Sequence, residues 1–195
     1  DCLLLTKPAN MFYLTGDGRL CAYALISQSG QVALGVPTTD VADVRRLAFH
    51  HYLAGFDDEV GMIHGIARHF AQLGIAQGTV GLEYTFLTHS MMAMLTHPHG
   101  KPVGVQAQDG THVLSELRLV KEPVERERIA AAAHVAAAGM RAAVAAVAPG
   151  QTESQVAAAG EAAMRHAGAE GFWRTYVSSG ERTNLAHGLP TLRRL

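Results

Sequence analysis

Glu116-Leu117-Arg118-Leu119-Val120-Lys121-Glu122-Pro123-Val124-Glu125-Arg126-Glu127 is the stretch at which the texture of the chain changes. Charge is concentrated in Glu116, Arg118, Lys121, Glu122, Glu125, Arg126 and Glu127, and this seam places the domain boundary near residue 115. Pro123 suits the first turn of a helix, with Glu125 and Glu127 well placed near its positive end. Downstream, an alanine-rich helix is expected to run to about Ala148 and to stop at Pro149-Gly150. Thr152-Glu153-Ser154-Gln155 is a capping box, with Thr at N-cap and Gln at N3, opening a second helix to about His166 with Gly168 closing it. Phe172 to Ser178 reads as a strand, and Gly180 to Pro190 as an irregular polar connection.

Upstream of the seam the pattern is different. Cys2 to Thr6 reads as a buried strand, and Pro8 to Gly16 as a short helix opened by proline and closed by glycine. Ala22 to Ser27 and Gln31 to Val36 form a hairpin through Gln28-Ser29-Gly30. Thr39 is placed to cap a helix to about His51, and Tyr52 to Phe56 reads as a strand. Asp58 to Leu73 carries apolar residues at Val60, Ile63, Ala67, Phe70 and Ala71, a helical period ended by Gly74. Thr79 to Tyr84 and Pro102 to Gln106 read as strands flanking a Met-rich helix from about Phe86 to Leu95. Strands alternating with helices, plus one hairpin, predict a mixed-sheet α/β domain over residues 1–115, with 116–195 as a second domain.

The bulk numbers agree with a globular chain. The 195 residues are 48% hydrophobic and 17% charged, enough apolar material for a core. Sixteen basic against seventeen acidic residues give a net charge of −1, which lacks the footprint of a nucleic-acid or anionic-membrane binder. Cys2 and Cys21 are too few for a disulfide framework, so a reducing cytoplasm is expected. No basic n-region precedes the first apolar run, and Asp1 in place of Met suggests numbering that begins inside a longer product. Ile129 to Ala148 is mostly weakly hydrophobic alanine with His134 and Arg141 inside it, and so is a soluble helix and not a membrane span.

Eleven histidines raise the question of metal. His64 and His69 are five apart on a helix and diverge. His97-Pro98-His99 could present two imidazoles, but a zinc site needs three or four ligands and nothing acidic lies beside them. His50 and His51 are adjacent and diverge, and His89, His112, His134 and His166 are isolated. Gly16-Asp17-Gly18 is a lone Gly-x-Gly, best read as a tight turn. Met91, Met92 and Met94 read as core filling, and the two cysteines as small core residues. Arg45-Arg46 and Arg193-Arg194 are pairs and not patches. His187 stands apart, in Ser178-Ser179-Gly180-Glu181-Arg182-Thr183-Asn184-Leu185-Ala186-His187-Gly188, a glycine-bracketed polar loop of the kind that displays functional groups. A neutral imidazole there can exchange a proton with a substrate near neutral pH; the alternative is a solvated loop histidine.

Taken together, Leu117 to Lys121, Glu125 and the alanine-rich helix resemble the entry to the catalytic domain of the creatinase/aminopeptidase P/prolidase family. Pro149-Gly150-Gln151-Thr152-Glu153 resembles that family's Pro-Gly-x-Thr-Glu junction. Val177 to Gly180, then Ala186-His187-Gly188 and Arg193, resemble its Ser-Gly, His-Gly and Arg stretch. Pro8-Ala9-Asn10 with Tyr13 to Gly16 resembles the opening of its non-catalytic domain. The resemblance implies an N-terminal mixed α/β domain followed by the first half of an α+β "pita-bread" catalytic domain. It implies an enzyme that cleaves the peptide bond before proline, and a site of two divalent metal ions (Mn, Co or Zn).

Under the same resemblance His187 falls on the family's first active-site histidine, which binds substrate and supports the tetrahedral intermediate or the leaving nitrogen. The family's metal ligands belong to the half of the catalytic domain that follows, so no metal ligand is expected within these residues and the 195-residue chain alone is expected to be inactive. A creatinase-like metal-free C–N hydrolase of a small molecule, and an inactive pita-bread binding module, stay open beside the Xaa-Pro reading. The resemblance also implies a homodimer acting on a peptide or small-molecule substrate.

Overall fold

A computed structural model of the chain describes every residue except Gly18, Arg19 and Pro98, and no side chain of Met94 or Thr96. The chain divides into two compact units, Asp1–Val120 and Lys121–Leu195.

The first unit is built on a six-stranded sheet. Its strands are β1 (Cys2–Leu5), β2 (Tyr23–Ser27), β3 (Val32–Pro37), β4 (Tyr52–Phe56), β5 (Gln77–Leu82) and β6 (Gly104–Asp109), in spatial order β4-β3-β2-β1-β5-β6. The hairpin β2–β3 and the pair β1–β2 are antiparallel; β3–β4, β1–β5 and β5–β6 are parallel, so the sheet is mixed as expected. Gly30, at φ +82°, supplies the turn conformation that the hairpin needs.

Alternate residues along the central strands face opposite layers. Leu4, Tyr23, Leu25, Val80 and Leu82 pack beneath α3 (Glu59–Gln72) and α4 (His89–Thr96), together with Ile66, Phe70, Met91 and Leu95. Leu5, Ala24, Leu34 and Val36 face α1 (Pro8–Thr15), α2 (Val41–Leu47) and α5 (Thr111–Leu117), through Met11, Val44 and Leu114. Cover on both faces explains why β1 to β3 read as nearly continuous apolar runs. Cys2 and Cys21 are free and buried, and burial pushes both thiols up to about 11.

Two local expectations in this unit are corrected, and one element is added. Thr39 does not cap α2: it lies in a single 3-10 turn, Thr38–Asp40, and α2 ends at Leu47, short of His51. The face of α3 is rotated, with Met62, Gly65, Ile66, His69 and Phe70 buried and Val60 59% exposed. Tyr23 is the cause. Its ring and hydroxyl need a small residue at Gly65 and a polar one at His69, whose Nδ1 lies 3.1 Å from the hydroxyl. Helix α5 was not expected, because its seven residues bury only Leu114.

The second unit holds α6 (Pro123–Ala145) and α7 (Glu153–His166). Both open on capping boxes, Glu122 with Glu125 and Thr152 with Gln155. The helices cross where Gly139 and Gly160 meet: a Cβ added to either would lie 3.1 Å from the other's carbonyl oxygen. Phe172 to Ser178 is not a strand. A strand needs a hydrogen-bonded neighbour, and among the described residues this segment finds none; the isolated bridge of this unit joins Thr152 to Arg194. No helix of the described residues is long and apolar enough to cross a membrane.

Candidate functional site

The loop that carries His187 is shaped by close approaches that only glycine permits. Gly180, at φ +54°, lies under the Arg193 guanidinium, which a Cβ would strike. A Cβ on Gly188 would run into the Ser178 hydroxyl, which donates to the Gly188 carbonyl at 3.4 Å. Gly180–Asn184 forms a 3-10 turn inside the expected irregular segment. Arg182 donates to the Leu189 carbonyl at 2.7 Å, and Arg193 donates to Glu181 at 2.7 Å. The result is a compact loop with His187 exposed beyond it, its ring edge-on to Tyr176 at 5.4 Å between centroids.

Beneath this loop is a residue that sequence reasoning passed over except as part of a motif. Glu153, in the first turn of α7, is fully buried. One carboxylate oxygen accepts from the Ser179 N–H at 2.7 Å and the Ser179 hydroxyl at 2.8 Å. The other accepts from the Thr191 N–H at 3.0 Å and the Thr191 hydroxyl at 2.6 Å, with Arg182 Nε at 3.4 Å. The Thr191 hydroxyl foremost, then Ser179, hold its carboxyl far below the usual range, at about 2. No local signal marks Glu153, because its partners lie 26 and 38 residues away.

The remaining candidates sit elsewhere. His97 and His99 are exposed neighbours, 5.4 Å between ring centroids, with Pro98 outside the described residues. His64 and His99 line an open cleft of about 440 Å³ with Ala67, Lys101 and Pro102, a juxtaposition the spacing did not reveal. His69 diverges from His64 and is fully buried, and desolvation lowers it from 6.5 to about 4. Gly16 adopts φ +85° at the end of α1, as a turn requires; Gly18 lies outside the described residues. Met91 is buried in the core and Met92 packs against it; the side chain of Met94 lies outside the described residues. Glu83 is a second buried carboxylate, accepting from the Thr6 and Lys7 N–H groups at 2.8 and 2.9 Å and from the Asn10 amide. Among the described residues no three of His, Cys, Asp and Glu gather as a metal site would require, so the residues present do not fit a two-metal centre.

Residues 1–120 match the Creatinase/Prolidase N-terminal domain family, and residues 127–195 match Metallopeptidase family M24. The chain belongs to the creatinase/prolidase family by its N-terminal domain, and its C-terminal residues are similar to the M24 family. It is similar to the Xaa-Pro dipeptidase of Pyrococcus furiosus, at 27% identity over 199 residues, covering 100% of this chain and 53% of that protein. Among solved structures it is similar to the Xaa-Pro dipeptidase from Bacillus anthracis (TM-score 0.80, 24% identity, 100% of this chain and 53% of the other). It is likewise similar to the prolidase from Pyrococcus furiosus (TM-score 0.77, 24% identity, 100% and 54%). The chain thus spans about half the length of the relatives it matches. The expected fold, a mixed α/β N-terminal domain leading into a pita-bread domain, is the fold of these structures.

Proposed function

We propose that the protein is a hydrolase of the Xaa-Pro dipeptidase and aminopeptidase type, cleaving the peptide bond before proline. On this reading residues 1–115 are the non-catalytic domain and residues 116–195 carry part of the catalytic one, with His187 binding substrate. The observation that carries it is the build of the His187 loop: an exposed imidazole beyond a loop whose ends are fixed to a buried carboxylate. A relative named Xaa-Pro dipeptidase, 27% identical along the chain, supports the substrate class. In the reaction the imidazole donates a hydrogen bond to the substrate and supports the oxyanion or the leaving nitrogen as the tetrahedral intermediate collapses.

The test is the protein as its gene encodes it, assayed on an Xaa-Pro dipeptide beside its Xaa-Ala counterpart. Proline-dependent cleavage is expected, and His187→Ala is expected to lower kcat by about a hundred- to ten-thousand-fold. Unchanged catalysis in that variant would show the active-site loop to be misplaced. Residues 1–195 alone, with added Mn²⁺ or Co²⁺, are expected to show negligible cleavage; robust turnover by them would overturn that expectation. A homodimer belongs to the same reading, and sedimentation of the chain checks it.

A further inference from the structure

We propose that Glu153 is the positioning residue of the His187 loop: its carboxylate ties the two ends of the loop together and thereby sets where the imidazole stands. Burying a carboxylate is costly unless its charge is met by donors, and a solvated tether would not need burial. Here each oxygen receives one backbone N–H and one hydroxyl, from Ser179 on one side and Thr191 on the other. These two residues bracket the loop on either side of His187. The anchor is itself held. The Glu153 N–H donates to the Arg193 carbonyl at 3.0 Å and the Ser154 N–H to the Thr191 carbonyl at 3.0 Å, so the loop end runs against the first turn of α7. The contacts of Arg182 with Leu189 and of Ser178 with Gly188 lie within the loop: they give it shape but do not moor it.

The chemistry requires glutamate. A hydroxyl can turn to accept a proton, but a backbone N–H cannot, so the NH₂ of a glutamine would oppose one fixed donor. Aspartate keeps the charge but is one methylene short of spanning both ends.

The proposal is read first on the 195-residue chain by NMR, independently of any activity. Glu153→Gln is expected to abolish the Tyr176–His187 ring contact and to speed amide exchange across residues 179–191 at least tenfold, with the amides of α6 unchanged. Ser179→Ala and Thr191→Val remove one hydroxyl each and are expected to do this partially, the first mainly near residue 180 and the second near residue 190. They keep the test open should the glutamine variant fail to fold. Unaltered loop exchange with an intact Tyr176–His187 contact would overturn the proposal, as would uniform loosening of the whole unit.

The second arm rests on the proposed function and uses the gene-encoded protein. Glu153→Gln is expected to lower kcat at least tenfold with KM changed less than threefold. In a His187→Ala background the same change is expected to cost less than twofold, because nothing is left to position. Equal, additive losses in both backgrounds would mark Glu153 as merely structural. Absence of peptidase activity would count against the proposed function while the NMR arm still decides the clamp.

Discussion

The two units distribute their chemistry in opposite ways. In Asp1–Val120 the residues that give shape are the residues that give stability: Leu4, Tyr23, Leu34, Ile66 and Phe70 are fully buried between a sheet and helices on both its faces. In Lys121–Leu195 the buried hydrophobic side chains are Val156 and Ala157, while Trp173 is 87% and Leu192 81% exposed. Yet the second unit is rich in specific polar contacts, with two capping boxes and a buried carboxylate met by four hydrogen bonds. Hydrogen bonds contribute modestly and are directional, whereas apolar burial is large and undirected. The second unit therefore has its loop geometry specified without the apolar burial that would make it strongly stable by itself.

The largest expected effect tests that contrast directly. Phe70→Ala removes a fully buried ring and is expected to cost about 3–5 kcal/mol in urea unfolding followed by circular dichroism. Trp173→Ala is expected to shift the same transition by no more than about 0.5 kcal/mol. Trp173 is also the single tryptophan of the chain, so its emission is expected to match that of free tryptophan in water. Comparable costs for the two substitutions, or a blue-shifted emission, would mean that Trp173 is covered in solution and that the two units are more alike than their side-chain burial indicates.

Acid gives the next largest effect. Burial foremost, and Arg68 after it, lower His69 from 6.5 to about 4, so it stays neutral in the folded first unit while the unfolded chain takes up a proton. Between pH 6.5 and 4 the unfolded state binds more protons, so stability rises with pH across this window and falls on acidification, by roughly 2–3 kcal/mol in all. His69→Gln is expected to flatten that dependence. Glu153 has the same sign in a more acidic window: its lowered value means that its contribution is complete above about 4.5 and lost only as pH falls through about 2. At pH 4 the first unit is thus expected to be weakened while amide exchange in the His187 loop is still protected. Loss of loop protection together with the first unit would show that the two do not titrate separately.

How much of this was legible in the sequence depends on the range of the interactions. The hairpin turn at Gln28-Ser29-Gly30 and the box at Thr152 and Gln155 are local devices, closed within a few residues, and both stand where their residues put them. The buried face of α3 was misplaced because Gly65 and His69 are on it for the sake of Tyr23, on a strand more than forty residues away. Phe172 to Ser178 has the composition of a strand, but composition does not supply a neighbouring edge. At the candidate site, the glycines that bracket the polar loop of His187 are legible, and they make the close approaches that shape it. Glu153 passed as part of a helix opening, because its four donors come from residues 26 and 38 positions further on.

The smallest expected effect concerns the helix caps, where the two units ought to behave alike. Asp58 accepts from the Gly61 N–H at 2.7 Å at the start of α3, and Thr152 accepts from the Gln155 N–H at 3.2 Å at the start of α7. Replacing either by alanine leaves one helix-start donor without its side-chain partner, at a cost of about 1 kcal/mol. Asp58 adds a negative charge at a helix start, which favours it slightly by a few tenths of a kcal/mol. Thr152 instead sits beside the bridge to Arg194, and its N–H is taken by the Gln155 side chain at 2.8 Å. Amide exchange in the first turns of α3 and α7 reads both losses separately. Near-equal costs would show that local capping contributes alike with or without a core beside it. A Thr152→Ala cost several times that of Asp58→Ala would show that, where apolar burial is scarce, the helix start also holds the loop end that Glu153 clamps.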